Sequence, residues 1–224
     1  MSSQMTTKTL AATALTVLGV SLASCAPAMT GLTTLAPNAG LNPAQSNPAQ
    51  RLSVAQPSPT STAGTLTLTS PSFVNGGTYP AAQVAGGFGC TGPNISPALN
   101  WSGVPAGTRS LVLTKYDPDA PTGSGFWHWS VYNIPATATG LAQGAGNPGG
   151  TLPAGASQLN NEGGQPGFVG ACPPVGDAPH RYVYTLYALN GTLDLPTTVS
   201  PAILGFNLNG RVIAKTSLTA TYGR

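Results

Sequence analysis

Only 6% of this 224-residue chain is charged, so the positions of its few ionisable groups are informative. Five carboxylates (Asp117, Asp119, Glu162, Asp177, Asp194) and two histidines (His128, His180) all fall in the C-terminal part, mostly beside turn-like segments. A carboxylate near an imidazole can run acid–base chemistry, or it can orient and polarise the ring against an anion. Three segments hold these groups. Asp117-Pro118-Asp119-Ala120-Pro121 carries two aspartates at i and i+2, which share one side if the chain stays extended, as both prolines favour. The same sequence also suits a turn capped by an aspartate side chain. In Trp127-His128-Trp129 a regular strand sends both indoles one way and His128 the other, with Ser130 and Tyr132. A single histidine on a strand can equally be a satisfied structural residue. The third segment is Cys172-Pro173-Pro174, followed by His180-Arg181-Tyr182. His180, Tyr182 and Tyr184 share a strand face, and the two X-Pro bonds stiffen the loop and leave one open to a cis bond.

The elements that must position these residues are strands. Residues 65–70 (TLTLTS) alternate with period two, and residues 110–116 (SLVLTKY) are largely apolar and predict a central strand. Residues 126–134 (FWHWSVYNI) and 181–189 (RYVYTLYAL) are rich in aromatic and β-branched side chains. Between them lie Gly-, Pro- and Asn-rich stretches, consistent with 29 glycines and 22 prolines in the chain. Residues 201–209 alone look helical, with Ser200 as cap, Pro201 in the first turn and Gly210 at the end. The spacing predicts a mainly β protein, an antiparallel β-sandwich with one short helix near the C-terminus.

All fifteen Phe, Trp and Tyr residues lie between Phe73 and Tyr222, so a domain covering 64–224 is expected. From residue 26 to 63 there is no aromatic residue and one charge, Arg51. Such a segment cannot bury enough apolar surface to offset its ordering entropy, and 25–63 is read as a disordered Ala/Pro/Thr/Ser-rich tether. Lys8 precedes an uncharged run, residues 10–23, too short to cross a hydrocarbon core as a helix. Basic start, short apolar run and small-residue end predict an export signal over 1–24. The residues Leu22-Ala23-Ser24-Cys25 resemble a bacterial lipobox, which implies that Cys25 becomes a lipidated N-terminus and ties the protein to a membrane of the cell envelope. The formal charge of +3 is not clustered into a basic stripe, so nucleic acid is not an expected partner.

Taken in order, the DPDAP segment, Trp127-His128-Trp129 continuing to Pro135, and Cys172-Pro173-Pro174 with His180-Arg181-Tyr182 resemble the bacterial branch of the phosphatidylethanolamine-binding (Raf kinase inhibitor-like) family. The likeness extends to Asn94-Ile95-Ser96-Pro97 with Trp101, to Asn161-Glu162, to Gly167-Phe168 and to the chain end from Leu218. It implies two packed antiparallel sheets and one shallow pocket for a phosphate-like group or phospholipid headgroup. The implied ligand-binding residues are Asp117, Asp119, Pro121, Trp127, His128, Pro173, His180 and Tyr182. Some family members also engage protein partners. The chain departs from the family at Phe168, Ala171, Glu162 and Arg211, which stand where tyrosine, proline, aspartate and histidine are usual.

An anion pocket containing aspartates needs a donor, and the expected one is an imidazolium at His128 or His180 favoured by a carboxylate. Loop N–H groups at residues 170–172 could add a backbone nest. The competing readings are an acid–base hydrolase, an inhibitor of a secreted protease, and a metal site built from the histidines and aspartates. No G-x-S-x-G elbow or H-E-x-x-H motif accompanies them, so no catalytic residue, metal or cofactor is assigned. With Cys25 lipidated, Cys90 and Cys172 remain as an even pair in an oxidising compartment, and a disulfide between them is expected.

Overall fold

The computed structural model describes residues 66–224. The export signal, Cys25 and the tether lie outside the described residues. Among the described residues nine strands, one α-helix and a 3-10 turn at Ala81–Gln83 form, in chain order β1 (Thr67–Thr69), β2 (Gly77–Thr78), β3 (Leu99–Ser102), β4 (Ser110–Asp117), β5 (Phe126–Pro135), β6 (Gly140–Leu141), β7 (Ser157–Gln158), β8 (His180–Leu189), α1 (Pro201–Asn207) and β9 (Val212–Tyr222), the turn lying between β2 and β3. They make a three-stranded sheet ordered β1-β3-β6 and a six-stranded sheet ordered β2-β9-β8-β4-β5-β7.

The expected sandwich is therefore present, and its apolar pattern explains it. All eight residues of β4 are buried, as befits a strand covered on both faces, and β5 and β8 pair with it antiparallel on either side. Along β8, Tyr182, Tyr184, Leu186 and Ala188 enter the core between the two sheets, while Tyr187 and Leu189 enter a second core under α1. Leu99, Leu111, Leu113, Ile134 and Leu186 are wholly buried between the sheets, each stabilising the fold by about 2 kcal/mol through lost apolar surface. Ser200 caps α1 by accepting the Ile203 N–H, with Pro201 in its first turn.

Four details correct or extend the sequence reading. The pair β2–β9 is parallel, an exception to an otherwise antiparallel architecture. The helix ends at Asn207, two residues before the expected end. Neither X-Pro bond of Cys172-Pro173-Pro174 is cis, because every described peptide bond is trans. The longest strand, β9, carries Lys215, Thr216 and Ser217 in mid-run, which hid it from an apolar-period search.

Candidate functional site

Strands β4, β5 and β8 present one set of ends side by side: Tyr116 pairs with Trp127 on one side and Val183 on the other. This pairing collects Asp117, the start of β5 and the start of β8 at the same edge of the sheet. Glycine makes the loop between β4 and β5 possible. A Cβ on Gly125 would sit 2.2 Å from the Tyr116 Oη and 2.6 Å from the Asp117 carbonyl oxygen, at a φ of +72°. No other residue allows the chain to return so closely over its own strand.

Asp117 realises both readings of its motif at once. Its Oδ1 accepts the backbone N–H groups of Asp119 (2.9 Å) and Ala120 (3.1 Å), a side-chain-capped turn. Its Oδ2 accepts from His180 Nδ1 at 2.8 Å and lies 3.9 Å from His128 Nε2. Burial pushes this carboxyl up, but the interactions with His128 and His180 outweigh it and hold Asp117 below its ordinary value. The other ring nitrogen of His180 faces Asp177 Oδ2 at 3.4 Å. His180, Asp117 and His128 thus form a row.

This row is the floor of a cleft of about 300 Å³, with Tyr182 beside it. Pro121, Pro173, Pro174, Phe88 and Phe126 supply largely apolar walls. The two phenyl rings meet edge-on, with centroids 6.2 Å apart. Cys90 and Cys172 are joined in a disulfide, as expected, which ties the Phe88 loop to the proline loop. Arg224 braces the same two loops, donating from Nε to the Pro173 carbonyl (2.6 Å) and from Nη1 to the Gly89 carbonyl (2.9 Å).

Six of the eight expected ligand residues line this cleft: Asp117, Pro121, His128, Pro173, His180 and Tyr182. Two do not. Asp119 turns away to Arg181, accepting from its backbone N–H (2.9 Å), Nε (2.9 Å) and Nη2 (2.8 Å), and so pins the loop to β8. Trp127 packs on Tyr116, ring centroids 4.4 Å apart. The cause is a bulge. Lys115 pairs with Trp129 but Tyr116 pairs with Trp127, leaving His128 as an extra residue with no partner on β4. The two indoles therefore face opposite sides of the sheet, not one side, and Trp129 alone enters the inter-sheet core.

The expected imidazolium is also corrected at His128. Burial, reinforced by the charge of Lys115, lowers this ring to about 4 despite Asp117 and the Val169 carbonyl. It is neutral at pH 7. Its Nδ1 lies 3.1 Å from the Val169 carbonyl oxygen, which can only accept, so Nδ1 carries the proton and Nε2 offers a lone pair. Two of the three expected nest donors are used elsewhere, Gly170 N–H donating to Asn94 Oδ1 (2.7 Å) and Ala171 N–H to the Gln83 carbonyl (3.1 Å). The Tyr182 hydroxyl is buried and faces the Cys172 backbone.

Sequence reasoning missed Phe88, Thr122 and Val169 on the cleft lining, and Lys115 bonded to Val169. Phe88 sits between glycines with φ at +57°, exposed at the cleft wall. Lys115 is wholly buried, its Nζ donating to the Val169 carbonyl at 2.8 Å. A lysine inside an otherwise apolar strand was the signal that could have revealed it.

Residues 69–223 match the family model described as phosphatidylethanolamine-binding protein. The chain belongs to this family. Among curated relatives of this phosphatidylethanolamine-binding protein family member, UPF0098 protein YbcL of Escherichia coli is 48% identical over 162 residues, spanning 71% of this chain and 88% of YbcL. The crystal structure of YbcL, described as a new member of the mammalian family, superposes with a TM-score of 0.69 over 71% of this chain and 98% of that one. A Mycobacterium tuberculosis protein bearing a lipoprotein name, LppC, is 41% identical over 139 residues, covering 62% of each chain.

Proposed function

We propose that this family member is a lipid-anchored binding protein of the bacterial cell envelope whose cleft takes a small phosphate-bearing group, free or on a lipid headgroup. The observation that carries this reading is the His180–Asp117–His128 row at the base of an apolar-walled cleft. The lipobox-like Cys25 and the lipoprotein name of LppC support the anchor. Binding is favoured over hydrolysis by the state of the candidate nucleophiles. The Thr122 hydroxyl at the cleft donates to the Gly125 carbonyl, and Cys172 is held in the disulfide.

The proton balance decides which phosphate fits. Two like charges 4 Å apart near a protein surface repel by about 4 kcal/mol. A bare phosphate dianion beside ionised Asp117 would meet that cost, and neutral His128 would not offset it. A phosphate that keeps one proton can donate it to His128 Nε2 or to Asp117. Affinity therefore falls as pH rises through the second phosphate ionisation, near 6 to 7. A phosphoethanolamine ammonium can donate in the same way.

Titration of the protein and its His128→Ala variant with phosphate and phosphoethanolamine tests the proposal. Binding by the wild type, weakened at pH 8 and lost in the variant, is expected. If both ligands fail to bind, or if the variant binds as well as the wild type, the cleft is not the site.

A further inference from the structure

Lys115 touches Val169 and Tyr182, two residues that line the cleft, and its surroundings are unusual for a lysine. The ammonium nitrogen is 4.5, 4.9 and 5.0 Å from the ring centroids of Phe168, Tyr79 and Tyr182, an aromatic cage. Among the described residues it forms no ion pair, and it donates to the Val169 carbonyl oxygen at 2.8 Å. That oxygen also takes the His128 Nδ1–H. The polar groups facing it are Asp117 from its own strand, His128 from β5, Tyr182 and Tyr184 from β8, and Tyr79, whose hydroxyl is bonded to that of Tyr184 at 2.6 Å.

We propose that Lys115 is a positioning residue that sets the hydrogen-bonding polarity of the cleft. Through the shared Val169 carbonyl it holds the His128 ring with Nδ1–H inward and the Nε2 lone pair toward the ligand, and so selects ligands that carry their own O–H or N–H donor. The other tautomer would leave two acceptors, Nδ1 and the Val169 oxygen, facing each other. The Val169 N–H, bonded to the His128 carbonyl at 2.9 Å, and the Lys115 ammonium together seat that oxygen. Burial makes the Lys115 charge easier to lose than an ordinary lysine's, and while it is held it opposes a second proton on the ring. Methyl phosphate, which keeps a proton in its monoanion, should then be accepted, whereas dimethyl phosphate, with no donor, should leave Nε2 without a partner. The inference rests on the phosphate-binding reading for its selectivity, but not for the state of the ring.

The test therefore has two readouts on wild type, Lys115→Met and Lys115→Gln. In ligand-free protein, ¹⁵N NMR of the ring reports the His128 tautomer and titration midpoint. In the Met variant the midpoint should rise, staying below the ordinary value because burial, the larger cause, remains. The Gln variant, which keeps a donor to Val169 without the charge, should preserve the tautomer while sharing the raised midpoint. At pH 6 the wild type should prefer methyl phosphate over dimethyl phosphate by about tenfold, the cost of an unsatisfied polar group, and Lys115→Met should lose most of that preference. Methionine suits the apolar cage, and the Gln variant covers a failure of the Met variant to fold. Unchanged tautomer, midpoint and preference in either folded variant would overturn the proposal. Shifted NMR midpoints with no phosphate bound by any protein would sink the selectivity and the phosphate reading, and uphold the control of the ring.

Discussion

Acidification offers a direct check on the buried, neutral state of His128. The folded ring titrates at about 4, against an ordinary value of 6.5, so between these pH values the unfolded chain binds a proton that the folded protein refuses. Stability contributed by this ring is complete above pH 6.5 and is lost as pH falls toward 4. The difference corresponds to about 3 kcal/mol, on the order of a quarter to a half of the stability of a typical domain. Asp117 acts in another window. Its depressed carboxyl contributes stability above the ordinary value of 3.8, lost only below that as the folded group takes a proton. Urea unfolding at pH 7.5, 6.5, 5.5 and 4.5 separates the two. The wild type should lose about 2.5 kcal/mol across the series, which stops just short of the folded midpoint, and a His128→Gln variant, which cannot charge, should lose clearly less. A flat wild-type profile, or an equal slope in the variant, would refute the argument that burial and Lys115 keep the ring neutral.

Removing the disulfide as C90A/C172A releases a loop with a sequence separation of 82, which the chain-entropy account values at about 4 kcal/mol. A fall in Tm of about 10 °C is expected by calorimetry, and a shift under 2 °C would show that the Arg224 brace and packing hold the loops alone. Asp119→Ala removes the acceptor of three Arg181 donors at a largely buried site, so unfolding free energy should drop by about 1 kcal/mol. Phosphate affinity in that variant should change far less than in His128→Ala, and an equal loss in isothermal titration would return Asp119 to the cleft. Phe88→Gly relieves a left-handed conformation that costs about 1 kcal/mol in a non-glycine residue. Tm should hold or rise while affinity weakens through the lost wall, and unchanged affinity would remove Phe88 from the site.

Much of the fold was legible because its signals are local. The apolar run at residues 110–116 could only be a covered strand, and β4 is buried throughout. Ser200 with Pro201 announced a helix start, since a hydroxyl and a proline satisfy the same unpaired first turn. The family likeness carried six of the cleft residues, because the turns and strand ends that hold them are themselves encoded by Pro, Gly and Asp at fixed spacing. The two-residue strand β2 was not legible, since it forms by parallel pairing with β9, far away in the chain.

What the sequence determined by itself was the class of fold, the segments that bear the chemistry and the cysteines available to pair. The tertiary structure decided which atoms meet. A single unmatched residue in the β4–β5 pairing turned Trp127 away from Trp129, because strand faces depend on register, and register is a property of two strands together. Asp119 left the cleft because Arg181, distant in sequence, offered it three donors. His128 became neutral because folding buried it near Lys115, and that desolvation exists only once the surrounding strands and loops have packed.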